Sequence, residues 1–166
     1  MRQEMERDSR VFVYGLDVTD HKKIFGSTRG LEMFGPKRFF GTPLSEEAMT
    51  GVGLGAAISG LRPIYVHIRV DFMLLAMNQL VNMVATARFG SGGTLRVPLV
   101  IRAIIGRGWG QGFQHSKSLQ SMFAHIPGLK VVMPSTPSDM KGLLISAIRD
   151  DNPVVVLEHR WLDWLE

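Results

Sequence analysis

The chain has 166 residues, of which 45% are hydrophobic and 20% charged, with a formal net charge of +4 and no cysteine. This is the length of one domain, able to bury roughly 70% of its unfolded surface around a single core. The absence of cysteine excludes disulfides, thiolate metal sites and thiol nucleophiles. Basic residues are scattered rather than interleaved with aromatics, so no nucleic-acid partner is expected. The opening MRQEMERDSR has no apolar signal core, and the longest apolar run, Met73 to Met77, is far too short to cross a bilayer. No membrane partner is therefore expected, and the simplest location is cytoplasmic.

In chain order, Met1 to Asp8 reads as a short helix start or a frayed terminus. Val11 to Tyr14 is an apolar run stopped by Gly15, the pattern of a buried strand. A polar turn, Leu16 to Lys23, precedes a short helix at Thr28 to Phe34, which Gly35-Pro36 ends. Arg38 to Phe40 forms a strand leading into Thr42-Pro43. Ser45 is placed to cap a helix running to about Ser59, with Gly60 just beyond its end. Pro63 to Ile68 is the next strand. Phe72 to Phe89 reads as one long helix, apolar nearly all round, whose polar residues Asn78, Asn82 and Thr86 leave a narrow wet stripe. A helix of that kind in a chain this small favours packing against a partner. Pro98 to Ile105 is a strand, followed by a loop with Gly106, Gly108, Gly110 and Gly112. A helix over His115 to Ala124, a strand over Leu129 to Met133, a helix capped by Ser138 and reaching Arg149, and a strand over Val154 to Leu157 complete the series.

Strands alternate with helices, and the strands are apolar runs. The pattern predicts an α/β fold in three layers, with a mostly parallel sheet covered by helices on both faces, as one domain over 1–166. In such sheets ligands bind beyond the carboxyl ends of the strands. The turns 16–23, 42–47, 69–72, 103–115 and 134–138 are therefore where function is expected.

Glu46 and Glu47 begin a helix directly after a strand. Acidic residues suit that position through the helix dipole alone, and one of them could also reach a ligand at the sheet rim. Gly51 and Gly55 share a helix face, with Gly53 between them. Each costs about 1 kcal/mol against alanine in a helix, which suggests that a backbone must approach closely there. The loop GRGWGQGFQHS is neither a Walker loop nor a clean GxGxxG. His115 gains weight from following a strand and this loop. His67, His115, His125 and His159 are too dispersed for a zinc site, and no GxSxG elbow is present.

Several longer segments carry a resemblance. EMERDSRVFVYGLDV, TPLSEEAMTGVGLGAAISGLRPI, VPLVIR, QHS, HIPGLKVVMPSTPSDMKGLL and AIRDDNPVVVLEH together cover most of the chain. With these the chain resembles the amino-terminal, pyrimidine-binding domain of the beta subunit of thiamine-diphosphate-dependent 2-oxo acid dehydrogenases, a domain related to one in transketolase. The resemblance implies that Glu46 hydrogen-bonds a pyrimidine nitrogen of thiamine diphosphate and drives the tautomer that deprotonates the thiazolium carbon. It implies that Leu44, Ile68 and Phe72 are cofactor neighbours and that His115 faces substrate as a proton donor or acceptor. It implies a structural potassium at Leu99, Ala147, Asp150 and Asn152. It further implies a partner alpha subunit holding the diphosphate and magnesium, a second beta subunit, and a lipoyl-bearing acyltransferase as acyl acceptor. The sequence has no GDG…N motif, and it stops where the family continues into a carboxyl-terminal domain, so either a fragment or a second domain on a separate polypeptide is expected.

The sequence departs from the family pattern at several places. Leu16 stands where an acid usually follows the first strand's glycine. Arg102-Ala103-Ile104-Ile105-Gly106 replaces RGPNG, expected in a loop near substrate. Leu75 replaces a glutamine, and His67-Ile68-Arg69-Val70-Asp71 replaces a more apolar stretch. These changes point to a different 2-oxo acid or acceptor. Transketolase-like ketol transfer and a divergent, non-catalytic structural subunit are the alternative readings.

Overall fold

A computed structural model describes residues 1–107 and 111–164. Six strands form one sheet: β1 (Val11–Gly15), β2 (Phe39–Gly41), β3 (Arg62–His67), β4 (Val100–Ile105), β5 (Lys130–Val132) and β6 (Val154–His159). Their order is β2-β1-β3-β4-β6-β5, and every pairing is parallel. The α-helices are α1 (Arg2–Arg7), α2 (Glu46–Ile58), α3 (Ala85–Gly90), α4 (Gln120–Ala124) and α5 (Pro137–Arg149).

Alternation along the strands sorts the core into two layers. Phe12, Tyr14, Tyr65, Ile101, Ala103, Val155 and Leu157 face α2 and the segment after β3. Val11, Val13, Ile64, Val66, Val100, Ile104, Val154 and Val156 face the opposite way, toward Met5 of α1 and Leu144 and Ile148 of α5. The apolar runs are thus explained: both faces of the sheet are covered.

Several local expectations are corrected. The segment expected as one helix over Phe72 to Phe89 is three pieces: a 3-10 helix Val70–Ala76, a π-helical stretch Gln79–Val84, and α3. The first piece meets the rest at 73°. The change of helix type makes the bend, since neither proline nor glycine interrupts it. Its polar stripe is real: Asn82 donates to Asn78 Oδ1 at 2.9 Å and the Thr86 hydroxyl to the Asn82 carbonyl at 2.7 Å. Among the described residues no single helix is long and apolar enough to cross a membrane.

The helix expected over His115 to Ala124 is a 3-10 turn, Phe113–His115, followed separately by α4. The α5 cap is Thr136 rather than Ser138: the Thr136 hydroxyl accepts from the Asp139 amide at 3.0 Å, and Pro137 opens the helix. Ser45 holds the cap position of α2 without a side-chain hydrogen bond. Of the α2 glycines, Gly53 is the one under close approach. A Cβ there would lie 2.2 Å from the Tyr14 hydroxyl, whereas Gly55 has nothing within 4 Å and Gly51 only the Gln79 side chain at 3.4 Å. Tyr14 explains the constraint, because its hydroxyl donates to the Met49 carbonyl at 3.0 Å and pins α2 to the sheet.

Candidate active site

The strand order reverses direction between β1 and β3: the chain passes from β1 outward to β2, then returns to the other side of β1. That is the switch point where parallel sheets leave a crevice at their carboxyl ends. A small cleft lies there, lined by Leu16 from the end of β1, Tyr65, His67 and Ile68 from the end of β3, Glu46 from α2, and Phe72.

Glu46 is the first residue of α2 and is buried, with 8% of its surface exposed. The positive end of the helix favours an anion at this position. The Thr50 hydroxyl donates to the Glu46 carbonyl at 2.8 Å, which fixes the backbone of the first turn. No described residue donates a hydrogen bond to the Glu46 carboxylate itself. Glu47 is different: it is exposed and accepts from Asn78 Nδ2 at 3.0 Å, clipping α2 to the bent segment.

An aromatic column runs from the core to this cleft. The rings of Tyr14 and Tyr65 stack at 4.6 Å, and those of Tyr65 and His67 lie 4.2 Å apart. Burial, with the Glu46 charge second, raises the Tyr65 phenol well above its ordinary value. Burial lowers His67 to about 3, so its imidazole stays neutral.

His115 is half-buried on its 3-10 turn, its ring 5.3 Å from that of Phe72 and its Nδ1 buried without a partner. Lys117 holds the turn in place by donating to Asp71 Oδ1 and to the Gln114 carbonyl, both at 2.8 Å. Arg69 is fully buried, its Nε donating to Gln111 Oε1 at 2.7 Å, and burial lowers it to about 10.

The structure thus brings Glu46, Ile68 and Phe72 together, with His115 across the Phe72 ring. Leu44 is not among the cleft walls and is 73% exposed. Arg102, Ala103, Ile104 and Ile105 are not in a loop near substrate. They form the buried interior of β4, where Arg102 pairs with Glu158 at 2.5 and 2.7 Å. Leu16 and Leu75 do adjoin Glu46, each in a separate recess beside it. Gly108 and Gly110 lie outside the described residues. Sequence reading missed Tyr65 and His67 as site residues. The signal available was a histidine at the carboxyl end of an otherwise apolar strand.

Leu99, Ala147, Asp150 and Asn152 are linked around the end of α5. The Asp150 carboxylate accepts from Lys130 Nζ at 2.5 Å and Asn152 Nδ2 at 2.7 Å. The Leu99 and Ala147 carbonyls accept from the Val154 and Asp150 amides. The Lys130 ammonium already supplies a positive charge there. Among the described residues no group of three or more His, Asp or Glu side chains is arranged to hold a metal ion.

Comparison with known proteins agrees with this architecture. Residues 1–162 match the family described as transketolase, pyrimidine binding domain. The chain is 48% identical over 161 residues to the 2-oxoisovalerate dehydrogenase subunit beta of Bacillus subtilis, covering 96% of this chain and 49% of that protein. It is 44% identical over 163 residues to the pyruvate dehydrogenase E1 component subunit beta of Rickettsia bellii, covering 98% and 50% respectively. The chain therefore spans about half the length of the curated relatives it matches. A solved split-gene transketolase, in an inactive beta4 tetramer, superposes with a TM-score of 0.74 at 17% identity, over 95% of this chain and 48% of that one, which speaks to the fold alone. With nearly its whole length matched, the chain belongs to the transketolase pyrimidine-binding domain family.

Proposed function

We propose that this chain provides the pyrimidine-binding half of the active site in a thiamine-diphosphate-dependent 2-oxo acid dehydrogenase, as its beta-type subunit. The observation that carries the reading is the buried Glu46 carboxylate, without a donor, beside the apolar walls of Ile68, Phe72 and Leu16. The 2-oxo acid class is supported by the relatives, which are named for 2-oxoisovalerate and pyruvate dehydrogenases.

When bound, thiamine diphosphate would supply the nucleophilic carbon and the electron sink that decarboxylation of a 2-oxo acid needs. Glu46 would hydrogen-bond a pyrimidine ring nitrogen of that cofactor. The dry surroundings strengthen that charge-assisted hydrogen bond, and the donor-free carboxylate has its acceptor sites ready for it. Phe72 and Ile68 offer flat apolar surface to the ring and exclude water. His115, steadied through Lys117 and Asp71, holds or delivers a proton on the substrate side.

An alpha subunit holds the diphosphate and magnesium. Support comes from the apolar side chains exposed near the site: Leu44 at 73%, Leu75 at 60% and Phe113 at 87%. A second beta subunit and a lipoyl-bearing acyltransferase, which receives the acyl group, complete the assembly. A structural potassium at Leu99, Ala147, Asp150 and Asn152 would draw partly on backbone carbonyls beside the Lys130–Asp150 ion pair, and it plays no part in the chemistry proposed.

Calorimetry tests the shared-site reading. Thiamine diphosphate with magnesium should bind a mixture of this chain with an alpha-type chain carrying GDG…N, and that mixture should release carbon dioxide from a branched-chain or simple 2-oxo acid. Tight binding to this chain alone would contradict it.

A further inference from the structure

Eight polar or charged residues are buried among the described residues: Glu4, Thr28, Glu46, Thr50, His67, Arg69, Arg102 and Glu158. Six have side-chain hydrogen bonds within the protein. Glu4 accepts from Arg149 and Arg7, Thr28 donates to the Val18 carbonyl, Thr50 to that of Glu46, Arg69 to Gln111, and Arg102 to Glu158. The two whose side chains have none are Glu46 and His67, and both line the same cleft.

His67 is 4% exposed, and its Nε2 is buried without a partner. It ends β3, two residues after Tyr65, so both side chains stand on the face covered by α2, while Val66 faces the other way. If this position served only to pack, an apolar residue would do so without leaving a polar atom unmet, which is destabilising. The chain instead keeps an imidazole beside Glu46, whose carboxylate likewise has no hydrogen-bond donor among the described residues.

We propose that His67 is a ligand-recognition residue of the Glu46 cleft, hydrogen-bonding through Nε2 to a polar atom on the heterocyclic ring bound there. Glu46, when ionised, can only accept. A neutral imidazole carries one donor and one acceptor, and which nitrogen holds the proton is set by its partner. With the proton on Nε2, His67 donates where Glu46 accepts, so the pair recognises a planar ring that presents both kinds of group, which an apolar residue at position 67 would not read. His67 is kept neutral by its burial, so the interaction persists across the physiological pH range. The inference rests on the functional reading above.

The test uses the reconstituted complex with its alpha-type partner. His67→Phe keeps a ring but removes both nitrogens, and it should weaken thiamine diphosphate binding about tenfold, the worth of one neutral hydrogen bond. His67→Gln, whose terminal amide reaches the Nε2 position, should recover most of that loss. In 15N-histidine-labelled complex, cofactor addition should shift the His67 Nε2 resonance to a hydrogen-bonded value. Unchanged affinity in His67→Phe together with an unmoved Nε2 resonance would overturn the inference, leaving the imidazole as packing or as a ligand of buried water. If Glu46→Gln still abolishes turnover in that case, the functional reading stands without His67. If no complex binds the cofactor, both fall.

Discussion

The buried charges of this chain occupy two contrasting regions. On the sheet face covered by α1 and α5, Arg102 and Glu158 meet through paired hydrogen bonds between β4 and β6, and Glu4 is clasped by Arg7 and Arg149. At the carboxyl rim between β1 and β3, Glu46 and His67 are also buried, yet no described residue hydrogen-bonds their side chains. The same residue types thus do opposite work. Where the protein supplies the partner, a polar group joins segments distant in sequence. Where it withholds the partner, the group is left available to a ligand.

The largest effect expected from disturbing this contrast lies on the satisfied side. Glu158→Ala removes the carboxylate to which buried Arg102 donates twice and should cost about 3–5 kcal/mol of folding stability, read from the urea midpoint. The double replacement Arg102→Met with Glu158→Leu should restore most of that, because neither charge is then stranded. Next, Gly53→Ala forces a methyl against the Tyr14 hydroxyl and should cost about 1–3 kcal/mol. Gly55→Ala meets nothing and should gain up to about 1 kcal/mol, so the two thermal midpoints should move in opposite directions.

The smallest effect is electrostatic. The hydrogen bond from Arg149, opposed by partial desolvation and aided by Arg7, lowers Glu4 from 4.5 to about 2. Its folded value lies below its unfolded one, so its contribution is full above about pH 4.5 and is lost as pH falls toward 2. Both arginines are half exposed, which limits the gain to about 1 kcal/mol. Denaturant midpoints measured across that window should fall with pH in the wild type and flatten in Glu4→Gln.

Much of the fold was legible because burial on both faces leaves a plain mark. Each of the six strands reads as an apolar run, and the Gly60 stop after α2 is visible as a left-handed residue, φ 94°. What stayed hidden depends on tertiary contacts. The bend between Ala76 and Gln79 has no proline or glycine to announce it. The three α2 glycines look alike until Tyr14 is placed against one of them. The Thr136 cap could have been read from Pro137, a residue that favours the first helical position. Glu46 was separable from Glu47 by the register of the TPLSE segment, and the structure gives the physical counterpart: Glu47 has Asn78, and Glu46 has no donor. Arg102 was read correctly within the strand Pro98 to Ile105, but the family pattern put it in a loop near substrate, and its burial stayed hidden because its partner lies 56 positions away on β6. His67 stood out only as a polar intrusion at a strand end, since pattern alone does not say whether a buried histidine is satisfied.

The claim that unmet polar groups at the rim are functional is tested most directly by Glu46→Gln, assayed in the reconstituted complex alongside its unfolding midpoint. Turnover of the 2-oxo acid should fall by at least about a hundredfold, the usual scale for a lost proton-transfer partner. Stability should stay within about 0.5 kcal/mol of wild type, because no described group depends on the carboxylate. Near-normal turnover, or a loss of stability as large as that of Glu158→Ala, would contradict the account.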